Sequence, residues 1–354
     1  MYAGVCADAQ IVMGYSYHIP TRRNPFNEDV LEWRESEVED LIENRSNMKI
    51  LIATQKPFAA KAVEGMKNIL TEAGYEVAML ERYEEPEELV AAVADVDGLI
   101  VRSDKVTAEV IEAAPNLKIV VRAGAGYDNV DLAAATAHDV VVMNTPGQNS
   151  NAVAELAIAM MIYMSRNRFT PGTGFELQGK TVGIHAYGNV GRLVGRKAKA
   201  LGMNVIAYDP FVTDKALFEN DGVKQVDSVE ELYKSADYLS LHIPATPQTK
   251  GSIGYKLMMS MPKGATLVNT ARKEVIDEVG LETAMVERTD LKYVTDVAPD
   301  DVSTMAALFG NRFFATPKKM GAETAEANVN AGLAAARQVV GFLRDGETKF
   351  KVNK

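Results

Sequence analysis

One stretch, Thr181 to Pro210, constrains this chain more than any other. It runs Thr-Val-Gly-Ile-His-Ala-Tyr-Gly-Asn-Val-Gly, then a helical run, then Asn-Val-Ile-Ala-Tyr-Asp-Pro. The order is strand, glycine turn, helix, strand, acid. Val182 to Ile184 make a buried strand. Gly188 and Gly191 let backbone approach a pyrophosphate at a helix N-terminus, where free N–H groups and the helix dipole favour an anion. Asn204 to Tyr208 is the second strand, and Asp209 lies 18 residues beyond Gly191 (209 − 191). A carboxylate there takes both hydroxyls of an adenosine ribose and repels a 2′-phosphate, so NAD is expected over NADP. The glycine pattern is incomplete, because Ala186 stands at its first position and alanine adopts positive φ less cheaply. With strand, helix and acid in place, dinucleotide binding outweighs a plain βαβ unit. Ala186, Tyr187, Gly188, Asn189, Val190, Gly191 and Asp209 are the expected cradle.

Length and composition set the surroundings. The chain of 354 residues, 47% apolar and 24% charged, suggests about two ordinary globular domains. A formal charge of −10 argues against a general nucleic-acid binder and requires a locally basic pocket for any anionic substrate. The single cysteine, Cys6, excludes an intrachain disulfide, and four histidines without paired spacing give no metal site. The longest apolar run, Leu156 to Met164, is far short of the ~20 residues of a membrane span. Residues 1–15 lack a basic n-region. A cytoplasmic protein without membrane or nucleic-acid partners is expected.

Residues 1–47 differ from the rest, with an acidic run in which Val30 to Ile42 suits a short helix. Three readings stand: a tail dispensable for chemistry, an interaction helix, or an over-called start before Met48. From Met48 strands and helices alternate. Strand-like runs are Ile50–Ala53, Tyr75–Leu80, Gly98–Val101, Lys118–Val121 and Val140–Met143; helical runs are Ala59–Glu72, Pro86–Val93 and Thr107–Ala114. Such alternation implies a parallel sheet covered on both faces, with ligands beyond the carboxyl ends of the strands. Two of those ends carry cationic or glycine-rich loops: Arg102-Ser103-Asp104-Lys105, and Arg122-Ala-Gly-Ala-Gly-Tyr-Asp-Asn-Val-Asp131. Free N–H groups over Gly124, Ala125 and Gly126 suit an anion-binding nest.

The 122–131 motif, followed by Val-Met-Asn-Thr-Pro-Gly-Gln-Asn-Ser-Asn-Ala-Val-Ala-Glu over 142–155, resembles the D-isomer-specific 2-hydroxyacid dehydrogenases. The resemblance covers roughly 48–354 and recurs in several separate motifs. It implies an α/β protein of two Rossmann/flavodoxin-like domains whose parallel sheets flank a cleft. Residues 48–147 plus 318–354 would bind substrate, and 148–317 would bind NAD. It assigns Gly124 to Gly126 to the substrate carboxylate, and Arg102 with Ser103 and Lys105 to its distal end. Asn149 and Ser150 fall near the cofactor. Leu-His-x-Pro at 241–244 places His242, Pro244 and Thr249 along it. Asn-Thr-Ala-Arg at 269–272 assigns Thr270 and Ala271 to the cofactor side and Arg272 to the carboxylate and C2 oxygen. Asp296 would hold the nicotinamide carboxamide. A homodimer is implied, although relatives commonly carry a longer arm where Arg166 to Lys180 makes a short link here.

One part of the pattern breaks. Relatives carry a glutamate that holds a catalytic histidine after Thr-Pro; here Asp301 falls at the glutamate and Thr316-Pro317 is followed by Lys318-Lys319. A lysine base needs a lowered pKa, which a carboxylate partner would oppose, so loss of both residues together is coherent. Counting back from Gly321 selects Lys319; counting forward from Pro317 selects Lys318. The expected reaction is NAD-dependent oxidation of D-3-phosphoglycerate to 3-phosphohydroxypyruvate. Alternatives are a glyoxylate or hydroxypyruvate reductase, and a non-catalytic NAD-binding module like the family's corepressors. No room is seen after Lys354 for a serine-binding regulatory domain, so inhibition by serine is not expected.

Overall fold

The computed structural model describes residues 48–354; the short acidic helix expected over Val30 to Ile42 lies outside the described residues. From Met48 the chain alternates as β1 (Lys49–Thr54), α1 (Ala60–Glu72), β2 (Glu76–Glu81), α2 (Pro86–Ala92), β3 (Gly98–Val101), α3 (Ala108–Glu112), β4 (Ile119–Arg122), α4 (Leu132–Ala137) and β5 (Val141–Asn144). The strands pair in parallel in the order β2-β1-β3-β4-β5, because each intervening helix returns the chain to the same end of the sheet. Ile50, Ile52 and Val121 face one apolar layer; Leu51, Leu99 and Val120 face the other. Both faces are covered, as the unbroken apolar runs require. The short helix α4, capped by Asp131 on the Ala134 N–H, had no counterpart in the expected elements.

A long apolar helix, α5 (Ser150–Ser165), leads to the second sheet. There follow β6 (Thr181–His185), α6 (Asn189–Ala200), β7 (Asn204–Tyr208), α7 (Lys215–Asp221), β8 (Lys224–Gln225), α8 (Val229–Ser235), β9 (Tyr238–Leu241), α9 (Tyr255–Ser260), β10 (Thr266–Asn269), α10 (Glu278–Glu287), β11 (Lys292–Thr295), α11 (Val302–Phe309) and β12 (Phe313–Ala315). Their order is β12-β11-β10-β9-β6-β7-β8, all parallel. Strand order reverses between β6 and β9 here and between β1 and β3 in the first sheet. Crevices open at the carboxyl ends of strands at such reversals.

The last helix, α12 (Ala325–Asp345), returns to the first sheet, where Ala331, Ala335, Ala336 and Val339 join the layer under Ile50 and Ile52. Small residues bring α12 close to α1: a Cβ on Gly65 would stand 2.4 Å from Leu333 Cδ2. Asn353 then accepts the Val142 N–H at 2.8 Å and donates to Val140 O at 2.9 Å, covering the otherwise open edge of β5. Among the described residues no helix is long and apolar enough to cross a membrane.

The turn after β6 carries backbone strain. Ala186 sits at φ 78°, in the left-handed region, while its N–H donates to Tyr208 O at 2.9 Å. A side chain there costs about 1 kcal/mol relative to glycine. Ala186→Gly is therefore expected to stabilise the protein by up to about 1 kcal/mol, read as a higher urea midpoint at unchanged slope; a lower midpoint would mean that the methyl group packs more than it strains.

Candidate active site

The glycine turn is tied to the acid that follows β7. Asp209 is buried; its Oδ2 accepts the Tyr187 N–H at 2.8 Å and its Oδ1 accepts the Phe211 N–H at 2.9 Å. Each carboxylate oxygen retains a further lone pair for a ribose hydroxyl. Tyr187 contributes only backbone to this turn, because its buried ring stacks on Phe218 and its hydroxyl donates to Asp221 at 2.9 Å. Gly188 caps α6, whose first residues are Asn189, Val190 and Gly191. A Cβ on Gly191 would lie 2.2 Å from Ala186 O, so the helix start can approach the turn only with glycine there. Asn149 caps α5 without a side-chain bond, and Ser150 is buried in its first turn.

Two buried acceptors mark the opposite end of the same crevice. Thr270 Oγ1, after β10, and Asp296 Oδ1, after β11, have no hydrogen-bond partner. A buried unpaired oxygen is costly unless a ligand completes it. Together with the glycine-bared turn they fit a dinucleotide whose amide-bearing end reaches Asp296. Thr145 Oγ1, which sequence reasoning passed over, is orphaned in the same way on the connector after β5.

The histidines beside this crevice are structural. His242 Nε2 lies 2.9 Å from Ser240 Oγ, and His185 Nδ1 lies 3.4 Å from Tyr233 Oη. Burial pushes the His185 pKa down to about 4 against the opposing charge of Asp209, and that of His242 down to about 3, where His185 adds to the lowering. Both stay neutral at ordinary pH. Thr249 closes the loop after β9, accepting the Thr246 N–H at 2.7 Å and donating to Pro244 O.

Cations from separate elements meet near the chain's second crossing. Arg272 emerges just after β10, exposed, with Nη1 donating to Ala271 O at 2.9 Å. Lys319 follows β12. Its residue surface stays open to solvent, yet surrounding protein lowers its pKa by desolvation first and by the Arg272 charge second; Asp296, Glu274 and Asp128 oppose. Asp128 belongs to the loop after β4, so both halves of the chain act on this amine. Lys318 points elsewhere, is 71% exposed and pairs with Glu323 at 3.8 Å. Asp301 does not act on Lys319: its carboxylate caps α11 on the Thr304 N–H at 3.1 Å, and the Thr304 side chain first, then that N–H, hold it below the usual range.

The first sheet presents Arg102 and Arg122. Arg122 Nε donates to Arg102 O at 2.8 Å, and its guanidinium lies over Gly124, where a Cβ would meet Nη1 at 1.5 Å. Burial lowers the Arg122 pKa; Asp128 opposes this and Arg102 adds to it. Neither arginine forms an ion pair among the described residues. Gly124 (φ 155°) spends its N–H on Arg122 O at 2.8 Å, so the free amides of the expected nest narrow to Ala125 and Gly126. Ser103 and Lys105 are exposed. Buried Asp104 between them accepts the Gln55 N–H, the Tyr83 hydroxyl and the Arg102 N–H, while Asn129 donates to Asp104 O at 2.7 Å. Asp104 and Asn129 shape this loop, and sequence reasoning gave them no role; an acid inside a cationic loop was the available signal.

A doubly wound parallel sheet with this crevice, beside a second parallel sheet carrying cations, defines a dinucleotide-binding protein of the two-lobed α/β dehydrogenase class. Residues 151–317 match the family described as "D-isomer specific 2-hydroxyacid dehydrogenase, NAD binding domain". The chain is 37% identical over 282 residues to the hydroxypyruvate reductase of Thermotoga maritima, covering 75% of this chain and 90% of that one. It is 40% identical over 285 residues to the D-3-phosphoglycerate dehydrogenase of Methanocaldococcus jannaschii, covering 75% of this chain and 53% of that one. The crystal structure of NAD+-bound 3-phosphoglycerate dehydrogenase of Entamoeba histolytica has 50% identity and a TM-score of 0.76, with 87% of this chain and 99% of that chain covered. The chain belongs to the D-isomer-specific 2-hydroxyacid dehydrogenase family, and its cofactor is NAD. It spans about half the length of several curated relatives that it matches.

The neutral histidines give the fold a pH dependence. A histidine with a folded pKa of about 4 and an unfolded value near ~6.5 contributes fully above the unfolded value and loses that contribution as pH falls toward the folded one. For buried His185 the loss between pH 7 and pH 5 is about 2 kcal/mol. Urea midpoints should fall over that interval, and His185→Gln should flatten the slope; an unchanged slope would show that His185 is not the group that titrates.

Proposed function

We propose that this protein oxidises D-3-phosphoglycerate to 3-phosphohydroxypyruvate, the entry step to serine, with Lys319 as acid/base. One observation carries the reading: an amine with a lowered pKa stands beside Arg272, facing a loop of the other sheet where two arginines have no ion pair among the described residues. Ala186 to Gly191 would hold the pyrophosphate, Asp209 the adenosine ribose and Asp296 the carboxamide, and NAD supplies the hydride acceptor. Arg272 grips the carboxylate and C2 oxygen, where a planar guanidinium polarises a carbonyl. The Ala125 and Gly126 amides take the substrate carboxylate. The C2–H bond breaks with its electron pair as hydride, and the hydroxyl proton passes to the neutral Lys319 amine; in reverse the ammonium returns it. Lowering the Lys319 pKa raises the neutral fraction that oxidation needs. The alternative at Lys318 is disfavoured by its exposure and its ion pair with Glu323.

The hydroxypyruvate reductase relative keeps the unphosphorylated substrate as a second reading. The distal arginines favour the phosphorylated one, since hydroxypyruvate has no second anionic group for them. A second copy of this chain would cover the apolar surface at Phe169 and Phe175, 71% and 60% exposed on the short link after α5. The site works equally for a cytoplasmic enzyme, which the proposed pathway step favours.

NADH consumption with phosphohydroxypyruvate tests the whole reading. Lys319→Ala should lower kcat by about 10²–10⁴-fold, while Lys318→Ala should change it less than two-fold. Equal loss in both variants, or NADH binding without turnover of any 2-oxoacid by the unmodified protein, would reject the assignment; a preference for NADPH would reject the role of Asp209.

A further inference from the structure

Arg102 stands at the strand-order reversal of the first sheet, and its side chain is held in a particular way. Nη1 donates to Lys56 O at 3.2 Å and Pro57 O at 3.1 Å, Nη2 donates to Asn328 Oδ1 at 2.7 Å, and the guanidinium carbon lies 5.3 Å from the Phe58 ring centroid. Every acceptor is a neutral carbonyl or amide. A guanidinium has five N–H donors, so Nε–H and one Nη2–H remain for a ligand. The charge is thus fixed in place without being neutralised.

Asn328 is the part of this arrangement that comes from far along the chain. It lies in the first turn of α12, which begins after the hinge that carries Lys319. Its own Nδ2 donates to Thr324 O at 2.9 Å, which turns Oδ1 toward Arg102. Both ends of the amide are used, so its orientation is set by the helix start. An aspartate here would hold Arg102 as firmly and cancel its charge; an alanine would leave Nη2 unsupported.

We infer that Asn328 is a positioning residue for Arg102, presenting it as an uncompensated cation to the distal anion of the substrate and so setting the preference for a phosphorylated over an unphosphorylated hydroxy acid. The inference rests on the proposed reaction and on Arg102 reading the distal group. Residues 319–328 would then govern both ends of the substrate: Lys319 the C2 hydroxyl, and Asn328, through Arg102, the phosphate.

The test compares KM for phosphohydroxypyruvate and for hydroxypyruvate in the full chain, with NADH saturating. Asn328→Ala keeps a good helix former in α12. It should raise KM for the phosphorylated substrate about ten-fold, with kcat within two-fold and KM for hydroxypyruvate nearly unchanged. Asn328→Asp should raise the same KM although its carboxylate can still reach Arg102, because the cation is then paired. In an Arg102→Ala background, Asn328→Ala should add less than two-fold. Equal rises for both substrates, or an additive effect without Arg102, would overturn the inference. If Arg102→Ala itself spares the phosphorylated substrate, the distal-anion reading fails first; if Arg102→Ala raises that KM and Asn328→Ala does not, only the positioning role fails.

Discussion

The placement of the Lys319 segment depends on one carboxylate. Asp296 Oδ2 accepts the Gly321 N–H at 2.7 Å and the Met320 N–H at 3.3 Å, pinning the turn that follows Lys319 to the end of β11. The approach is possible because residue 321 has no side chain: a Cβ there would stand 2.9 Å from the same oxygen. The other oxygen stays buried and unpaired. One group thus fixes this turn and keeps one buried acceptor unspent. It also raises the Lys319 pKa, against the lowering by desolvation and Arg272. The direction that wins is the one an amine base requires.

Asp209 shows the same economy at the end of β7. Both of its oxygens brace backbone N–H groups before any ribose arrives. A preorganised acceptor loses less on binding than one that must first be ordered. The glycine turn it braces includes a strained alanine, and strain of that kind persists only where surroundings over-determine it. Here the Tyr208 and Asp209 contacts on either side of Ala186 do so.

Much of the fold was legible in the sequence because parallel strands buried on both faces leave unbroken apolar runs. Gly98–Val101, Asn204–Tyr208 and Tyr238–Leu241 stand where those runs placed them. Short α4 escaped notice because alanine-rich Leu132–Ala137 offers no wide apolar stripe. The start of α12 at Ala325 is set by Thr324, whose side chain takes the cap position. Side-chain networks between distant segments were not legible at all. Arg102 and Asn328 are 226 residues apart, and no local pattern marks an asparagine in an alanine-rich helix as the partner of a strand-end arginine. Arg122 lying over Gly124 is similar: glycine was noticed for its amides, whereas its missing side chain also makes room for the guanidinium.

The lysine pair shows why counting fails where environment decides. One extra residue between Pro317 and Gly321 makes Lys318 and Lys319 equivalent by register. Their surroundings separate them: Lys318 spends its charge on exposed Glu323, and Lys319 faces another cation. Asp301, one bond shorter than the glutamate that relatives place there, closes the start of α11 instead. A carboxylate that caps a helix cannot also stabilise an ammonium ion across the cleft. The shortened side chain thus serves the helix cap, and the carboxylates whose charges reach position 319 are Asp296, Glu274 and Asp128 instead.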